Sequence, residues 1–328
     1  MEKADFLKGK LKEGLKEHEV MRNHTTMHVG GVADFYFEAK TVDDIIRAVD
    51  AAIEINIPYL VIGGGSNLIF SDFGFAGLVI RNLTTNIAFM MEKSQVIVDS
   101  GVNLQKLILE SVSHNLAGLE FLFGVPGTVG GAIYGDAGAN GQSIGDYVKY
   151  VTLLIPGENG EKSQVVQKSA EWFEFNYRST KLKNMTGYKK PVILSARIQL
   201  AQSRQEEIMR RLNTYKNKRM ANYPEGFSSG SFFKNPIPEG LENIVCSGRR
   251  TMPQLPKERT AGYMLEKSGA KKLKSGGAKV SAKHANFIIN SDDAKAQDVR
   301  QLAEQMRNVV REKFQITLEE EVEYVGQW

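Results

Sequence analysis

Short apolar runs bounded by glycine or proline alternate with longer stretches in which apolar residues return every three to four positions, and this alternation lays out the elements. "ADFYFEAK" (33–40) predicts a strand, and "TVDDIIRAVDAAIEINI" (41–57) an amphipathic helix opened by Thr41 with Asp44 three residues on. "YLVIGGGSNLIF" (59–70) continues as strand and glycine turn, completing a β-α-β unit. Two strands, "GLVIRNL" (77–83) and "SQVIVDSG" (94–101), precede a helix at 103–116 capped by Asn103. "VKYVTLLIPGENGEKSQVV" (148–166) is a hairpin pattern with Pro, Gly and Asn between β-branched runs, and "PVILSARIQL" (191–200) is a further strand.

The pattern changes near residue 202. A charged helix, "SRQEEIMRRLNTYKNKRMANYP" (203–224), stops before Pro224. An irregular stretch then runs to about 260, followed by a short helix at 261–269, a strand "HANFIIN" (284–290), a long helix at 294–314 and a last strand "QITLEEEVEYVG" (315–326). The layout is α+β. We divide it into a charged leader (1–19), two subdomains (20–84 and 85–201) and a C-terminal domain (202–328).

Composition adds limits. Hydrophobic residues make up 42% and charged ones 24%, and no run is apolar enough to span a bilayer, so no membrane insertion is expected. The start lacks the apolar centre of a secretory signal, which points to the cytoplasm. Cys246 is the one cysteine, excluding an internal disulfide and a multi-cysteine metal site; it reads as a reduced thiol. A net charge of +4 is too slight to argue for nucleic acid. The dense lysines of 267–283 are either a solvated face or a local anion site.

Candidate chemistry begins with two glycine clusters, Gly63, Gly64 and Gly65 in "IGGGSN", and Gly124, Gly127, Gly130 and Gly131 in "LFGVPGTVGGAIYGDAGANGQ" (122–142). Glycine lets backbone N–H groups approach a ligand, and two such loops suit a diphosphate held by amides with Ser66, Asn67 and Thr128. Tight turns between strands are the plainer alternative. The first cluster lacks the third glycine and following helix of a Rossmann site, and no GxxxxGK[ST] occurs. No HExxH or histidine cluster appears, so no metal is expected. In "SSGSFFKNP" (228–236), Ser231 lies between a glycine and two aromatics and could donate a proton, or the loop could be a turn whose Phe residues plug the core. His284 could orient a substrate or be structural, and His24 and His28 are equally open. Strand alternation puts Glu319, Glu321 and Glu323 on one face and Glu320 on the other, where clustered carboxylates raise one another's pKa or are simply solvated.

Taken in order, "NHTTMHVGGVAD", "IGGGSNLI", "GLEFLFGVPGTVGGAI", "NYRSTKLK", "GSFFKNP", "AGYMLEKSGAK", "GGAKVSAKHANFIIN" and "ITLEEEVEYVG" resemble the UDP-N-acetylenolpyruvoylglucosamine reductase family over residues 20–326. The resemblance implies a flavin-binding fold of the PCMH and vanillyl-alcohol-oxidase type, with two subdomains for FAD and a third over the substrate. It implies non-covalent FAD, whose pyrophosphate the glycine clusters with Pro126 would cradle, and NADPH as hydride donor to a UDP-sugar. By motif it assigns the catalytic trio to Arg178 of "NYRST", Ser231 and Glu321, and substrate contacts to Arg219, Lys234, Asn235 and His284. It also implies the subtype without a tyrosine-bearing loop, since no room exists for one between Arg178 and the 204–221 helix. A monomer is expected. Asp136 stands where relatives commonly carry Asn, adding a negative charge near a diphosphate unless it turns away or meets a cation. Other readings are a different FAD-dependent oxidase or dehydrogenase on this fold, and a non-catalytic nucleotide-sugar binding protein.

Overall fold

Thr41 starts its helix as the capping pattern requires. In the computed structural model, which describes residues 3–157, 161–187, 190–237 and 255–328, the Thr41 hydroxyl accepts from the Asp44 amide while the Asp44 carboxylate accepts from the Thr41 amide. Such a box is worth about 1 kcal/mol. The helix runs Val42–Glu54 and buries Ile45, Ala48, Val49, Ala51 and Ala52. Asn103 likewise caps Leu104–Ser113 by accepting from the Gln105 and Lys106 amides.

The chain folds into two compact units built from discontinuous pieces, Met1–Glu19, Ala33–Gly64 and Ala76–Asn217 in the first, and Val20–Val32, Gly65–Phe75 and Lys218–Trp328 in the second. The first unit carries two sheets. One has the order Leu15–Val20, Val32–Ala39, Phe75–Asn82, Tyr59–Ile62. The two strands of the expected β-α-β unit are therefore not neighbours: Phe75–Asn82 lies between them and pairs parallel with Tyr59–Ile62. The charged first residues join this layer, since the helix Lys3–Leu11 places Leu7 and Leu11 in one core with Ile45, Val49, Leu78 and Ile80. Fully burying each such side chain contributes roughly 1.5–3 kcal/mol.

The second sheet has the order Gln164–Ser169, Val148–Ile155, Val192–Gln199, Gln95–Asp99, Ile87–Met90, antiparallel throughout. The hairpin and the 192–199 strand match the sequence pattern; the edge strand Ile87–Met90 was not foreseen. Its core gathers Val96, Val98, Leu107, Ile108, Ile133, Phe173 and Ile198.

In the second unit the long helix Ala296–Phe314 places Val299, Leu302, Met306 and Val310 in one core with Met264, Leu265, Phe232 and Phe233. Asp72, far away in sequence, accepts from the Ala296 and Gln297 amides at 2.9 and 3.0 Å, meeting the bare amides at the helix start. A three-stranded antiparallel sheet, Lys274–Ser275, Ala278–Val280 and Ile288–Asn290, completes the core. The expected last strand is shorter than its sequence pattern. Only Glu323–Val325 is strand, because its parallel partner, Leu68–Phe70, has just three residues. Among the described residues no helix is long and apolar enough to cross a membrane. Cys246 and most of the irregular stretch lie outside the described residues.

Candidate active site

Gly63 and Gly64 meet the second glycine cluster within the first unit. A Cβ at Gly63 would lie 2.3 Å from Thr128 Oγ1, and one at Gly64 would lie 3.3 Å from Gly127 Cα, so the two turns touch backbone to backbone. Larger residues there would push them apart. Gly127 has φ +117°, a conformation closed to most side chains.

Many amides of the second cluster are already engaged by the fold. Val129 and Gly130 donate to the Val102 and Ser100 carbonyls at 2.9 and 2.8 Å, Gly124 donates to Gln105 Oε1 at 2.6 Å, and Gly131 to Thr128 Oγ1 at 3.3 Å. The last bond makes Thr128 the cap of a one-and-a-half-turn helix, Val129–Tyr134, which the glycines hid from the sequence pattern. Gly130 is needed for packing, since a Cβ would lie 2.8 Å from Ser100 Cβ. The turns at Gly63–Gly64 and Gly127–Thr128 are thus where backbone donors of this unit could meet an anion.

Asp136 has turned inward. It is 1% exposed, takes φ +45°, and its Oδ1 accepts from the Gly145 amide at 3.0 Å. Burial pushes its carboxyl up to about 7, against the Gly145 amide, the Ser143 hydroxyl and Arg178, which favour the ionised form, while Asp146 adds to the rise. The cation foreseen as its counterpart is Arg178. Two of the five guanidinium N–H donors reach backbone here, Nη1 to the Asp136 carbonyl at 3.3 Å and Nη2 to the Gly138 carbonyl at 2.6 Å. Arg178 itself has φ +54°, in a tight turn where Asn176 and Ser179 exchange backbone bonds of 3.0 and 2.9 Å. Thr180 anchors that turn by donating to the Tyr134 carbonyl at 2.7 Å.

In the second unit, the segment bearing Ser231 pairs with the segment bearing Glu321. The Glu321 amide donates to the Phe232 carbonyl and the Lys234 amide to the Glu319 carbonyl, both at 2.8 Å, around a bridge between Phe233 and Glu320. Phe232 and Phe233 are buried, as the plug reading of this loop foresaw, while Ser231 stays half-buried just after Gly230 at φ +81°. Plug and polar site are the same loop.

Two asparagines hold this pair of segments. Asn286, 4% exposed, accepts from the Phe233 amide at 2.9 Å, donates to its carbonyl at 2.8 Å, and offers its own carbonyl to the Phe232 amide at 2.8 Å. Sequence reasoning passed over it; the signal was an amide inside the apolar run "HANFIIN". Asn67 donates from Nδ2 to the Glu321 carbonyl at 2.9 Å, and its carbonyl accepts from the Glu323 amide at 2.9 Å. A residue expected to meet a diphosphate therefore also fixes the glutamate's backbone.

Glu319 and Glu320 turn to different partners. Glu319 pairs with Lys234, and Glu320 turns to Arg307 Nη2 at 2.6 Å. Burial, more than neighbouring carboxylates, raises the Glu320 carboxyl. Asn235 Oδ1 accepts from the Ala261 amide at 3.0 Å, tying the loop to the helix Ala261–Lys267. His284 is neutral in character, its pKa lowered by burial and then by Lys271, and its Nδ1 accepts from the Asn286 amide at 3.2 Å. The ring meets Phe287 edge-on at 4.9 Å. Arg219 lies over the Tyr223 ring at 5.2 Å, and His28 stacks on Phe227 at 3.8 Å. In the lysine-rich loop, Lys271 pairs with Glu266 at 2.9 Å and Lys267 lies over Tyr263 at 5.6 Å. Among the described residues no group of three or more His, Cys, Asp or Glu could hold a metal ion.

A family described as FAD binding domain matches residues 33–161, and one described as UDP-N-acetylenolpyruvoylglucosamine reductase, C-terminal domain, matches 222–325. The UDP-N-acetylenolpyruvoylglucosamine reductase of Carboxydothermus hydrogenoformans is 34% identical over 98% of this chain and 99% of its own, and that of Bacillus subtilis 33% over 97% and 98%. The crystal structure of the Thermus caldophilus UDP-N-acetylenolpyruvylglucosamine reductase superposes with a TM-score of 0.72 at 28% identity, covering 94% of this chain and 98% of that one. The α+β architecture thus includes an FAD-binding domain and follows the fold of that reductase. With this agreement along nearly its whole length, the chain belongs to the UDP-N-acetylenolpyruvoylglucosamine reductase family.

Proposed function

We propose that this protein reduces UDP-N-acetylglucosamine enolpyruvate to UDP-N-acetylmuramate with NADPH and FAD, in peptidoglycan precursor synthesis, and that Arg178, Ser231 and Glu321 carry the chemistry. The reading rests on family membership over almost the full chain. The observation that carries the assignment of residues is the backbone pairing of the Ser231 and Glu321 segments, which puts a hydroxyl and a carboxyl donor on one rigid support.

The backbone turns at Gly63–Gly64 and Gly127–Thr128 fit an FAD pyrophosphate, being in mutual contact, without a lysine, and too tight for a side chain. Gly124, Pro126, Gly130 and Gly131 would support that cradle, and Gly65, Ser66 and Asn67 are the other residues assigned to FAD binding. When bound, FAD supplies hydride transfer, from NADPH and on to the terminal carbon of the enolpyruvyl double bond. Negative charge then builds on the adjoining carboxylate. Arg178, held in place by two backbone carbonyls, stabilises this enol-like dianion with charge-assisted hydrogen bonds. Glu321, protonated or through water, supplies a further donor. Ser231 gives its proton to the neighbouring carbon.

Arg219, Lys234, Asn235 and His284 are the proposed substrate contacts, the two cations answering the UDP diphosphate. A neutral His284 suits a hydrogen bond better than a charge pair. The two sheets of the first unit would form the two FAD subdomains and the second unit the substrate domain, which moves the boundary expected at 202 to Lys218 and adds Val20–Val32 and Gly65–Phe75 to the substrate part. The protein acts in the cytoplasm as a monomer. Purified protein should be yellow, or become so with added FAD, with flavin absorbance retained through gel filtration. A preparation that takes up no FAD overturns the reading in favour of a non-catalytic sugar-nucleotide binder.

A further inference from the structure

We propose that Asp136 is the positioning residue for Arg178: by closing the 136–145 segment through the Gly145 amide, its carboxyl holds in place the Asp136 and Gly138 carbonyls on which the guanidinium rests. The inference deepens the reading above and rests on the role given there to Arg178.

The geometry is local to one loop. Residues 138–139 and 142–143 form a two-stranded ribbon, with Gly138 opposite Ser143 and Ala139 opposite Gln142. The ends of this ribbon are tied twice, by the Ile144 amide to the Ala137 carbonyl at 2.9 Å and by the Gly145 amide to Asp136 Oδ1 at 3.0 Å. The second tie is the only one of the two that depends on a side chain. A Cβ at Gly138 would lie 3.0 Å from Arg178 Nη1, and a Cβ at Gly145 would lie 2.9 Å from Asp136 Oδ1, so both contacts need glycine at the meeting point. At φ +45°, residue 136 sits in the left-handed region that Asp and Asn tolerate better than other side chains. Releasing the tie frees the two carbonyls that hold the arginine. Misplacement by about 1 Å costs around a hundredfold in rate when a group must meet developing charge.

Asp136 also stands beside the charge it positions. The charged groups facing its carboxyl are Arg178 and Asp146. Neither Asp136 Oδ2 nor Ser143 Oγ closes a hydrogen bond of ordinary geometry, so the help that Ser143 and the Gly145 amide give the ionised form does not offset its burial. With a carboxyl that loses its proton at about pH 7, the neutral form below that value leaves the full guanidinium charge for the substrate carboxylate. Above it, the carboxylate competes. An asparagine keeps an acceptor for the Gly145 amide and has no proton to lose.

The test uses the FAD-loaded enzyme and measures each half-reaction by anaerobic stopped flow across pH. Asp136→Ala should slow reoxidation by the enolpyruvyl substrate about ten- to hundredfold, with reduction by NADPH within about twofold of the parent. Asp136→Asn should match the parent at about pH 6 and exceed it by roughly threefold at about pH 8.5, the parent alone losing rate as the carboxyl ionises. A second readout is independent of activity. The folded pKa of about 7 lies above the ordinary 3.8, so ionisation is disfavoured in the fold, and the parent loses stability as pH rises between these values. The thermal midpoint of Asp136→Asn should therefore gain on the parent between those two values and hold its lead above them. An Asn variant as slow as the Ala variant, or a rate ratio to the parent that does not change with pH, overturns the inference; if the Ala variant does not fold, the Asn variant alone decides. Arg178→Lys separates the two levels: if it leaves reoxidation unchanged, the role of Arg178 itself fails, and if it slows reoxidation while both Asp136 variants behave as the parent, only the positioning by Asp136 fails.

Discussion

Ser231→Ala should leave reduction of the flavin by NADPH at its normal rate and slow reoxidation by the enolpyruvyl substrate by about 10²–10⁴-fold, the loss expected for a general acid. The asymmetry is what matters. Removing one hydroxyl from a half-buried position leaves intact the backbone that defines the loop, because Phe232, Phe233 and Lys234 are held by Asn286 and by the Glu319–Glu321 segment, none of which bonds to the Ser231 side chain. The variant should fold and bind FAD as the parent does. Solvent isotope incorporation gives the finer reading, since the proton at the carbon beside the carboxylate should arrive slowly and without stereochemical control. Equal slowing of both half-reactions would remove Ser231 from the proton-donor role.

Arg178→Lys should slow the same half-reaction by about 10²–10³-fold, the cost of removing a preorganised donor from a developing oxyanion. Lysine keeps the charge but has no planar fork, so it cannot lie on the Asp136 and Gly138 carbonyls and still present paired N–H groups. The KM for the enolpyruvyl substrate should rise far less than kcat falls, because the charge that the arginine meets is greatest in the transition state. Single-turnover reoxidation over a range of substrate concentrations separates the two. A variant in which only KM rises would assign Arg178 to ground-state binding.

Much of the fold was legible because side-chain periodicity and capping report on local structure. Thr41 and Asn103 start their helices as their side chains dictate. What stayed hidden was set by partners distant in sequence. The strand Ile87–Met90 is a short apolar run that gains its identity only by pairing with Gln95–Asp99. The helix Val129–Tyr134 has two glycines among six residues, and exists because Thr128 caps it and Val129 and Ile133 are buried. The site was legible in the same uneven way. Ser231 could be suspected from its own neighbourhood, whereas the hold on Arg178 is made by two backbone carbonyls, which leave no mark on residue type. Asp136 was an anomaly of charge in the sequence and became intelligible only when its carboxyl was seen turned onto Gly145.

If the chain passes hydride from NADPH to an enolpyruvyl UDP-sugar through FAD, a single anaerobic titration follows both transfers. FAD-loaded protein is bleached with one equivalent of NADPH and then given UDP-N-acetylglucosamine enolpyruvate. The oxidised flavin spectrum should return fully at one equivalent of substrate, with UDP-N-acetylmuramate formed in equal amount. A flavin that NADPH bleaches but the enolpyruvyl sugar fails to reoxidise would contradict it.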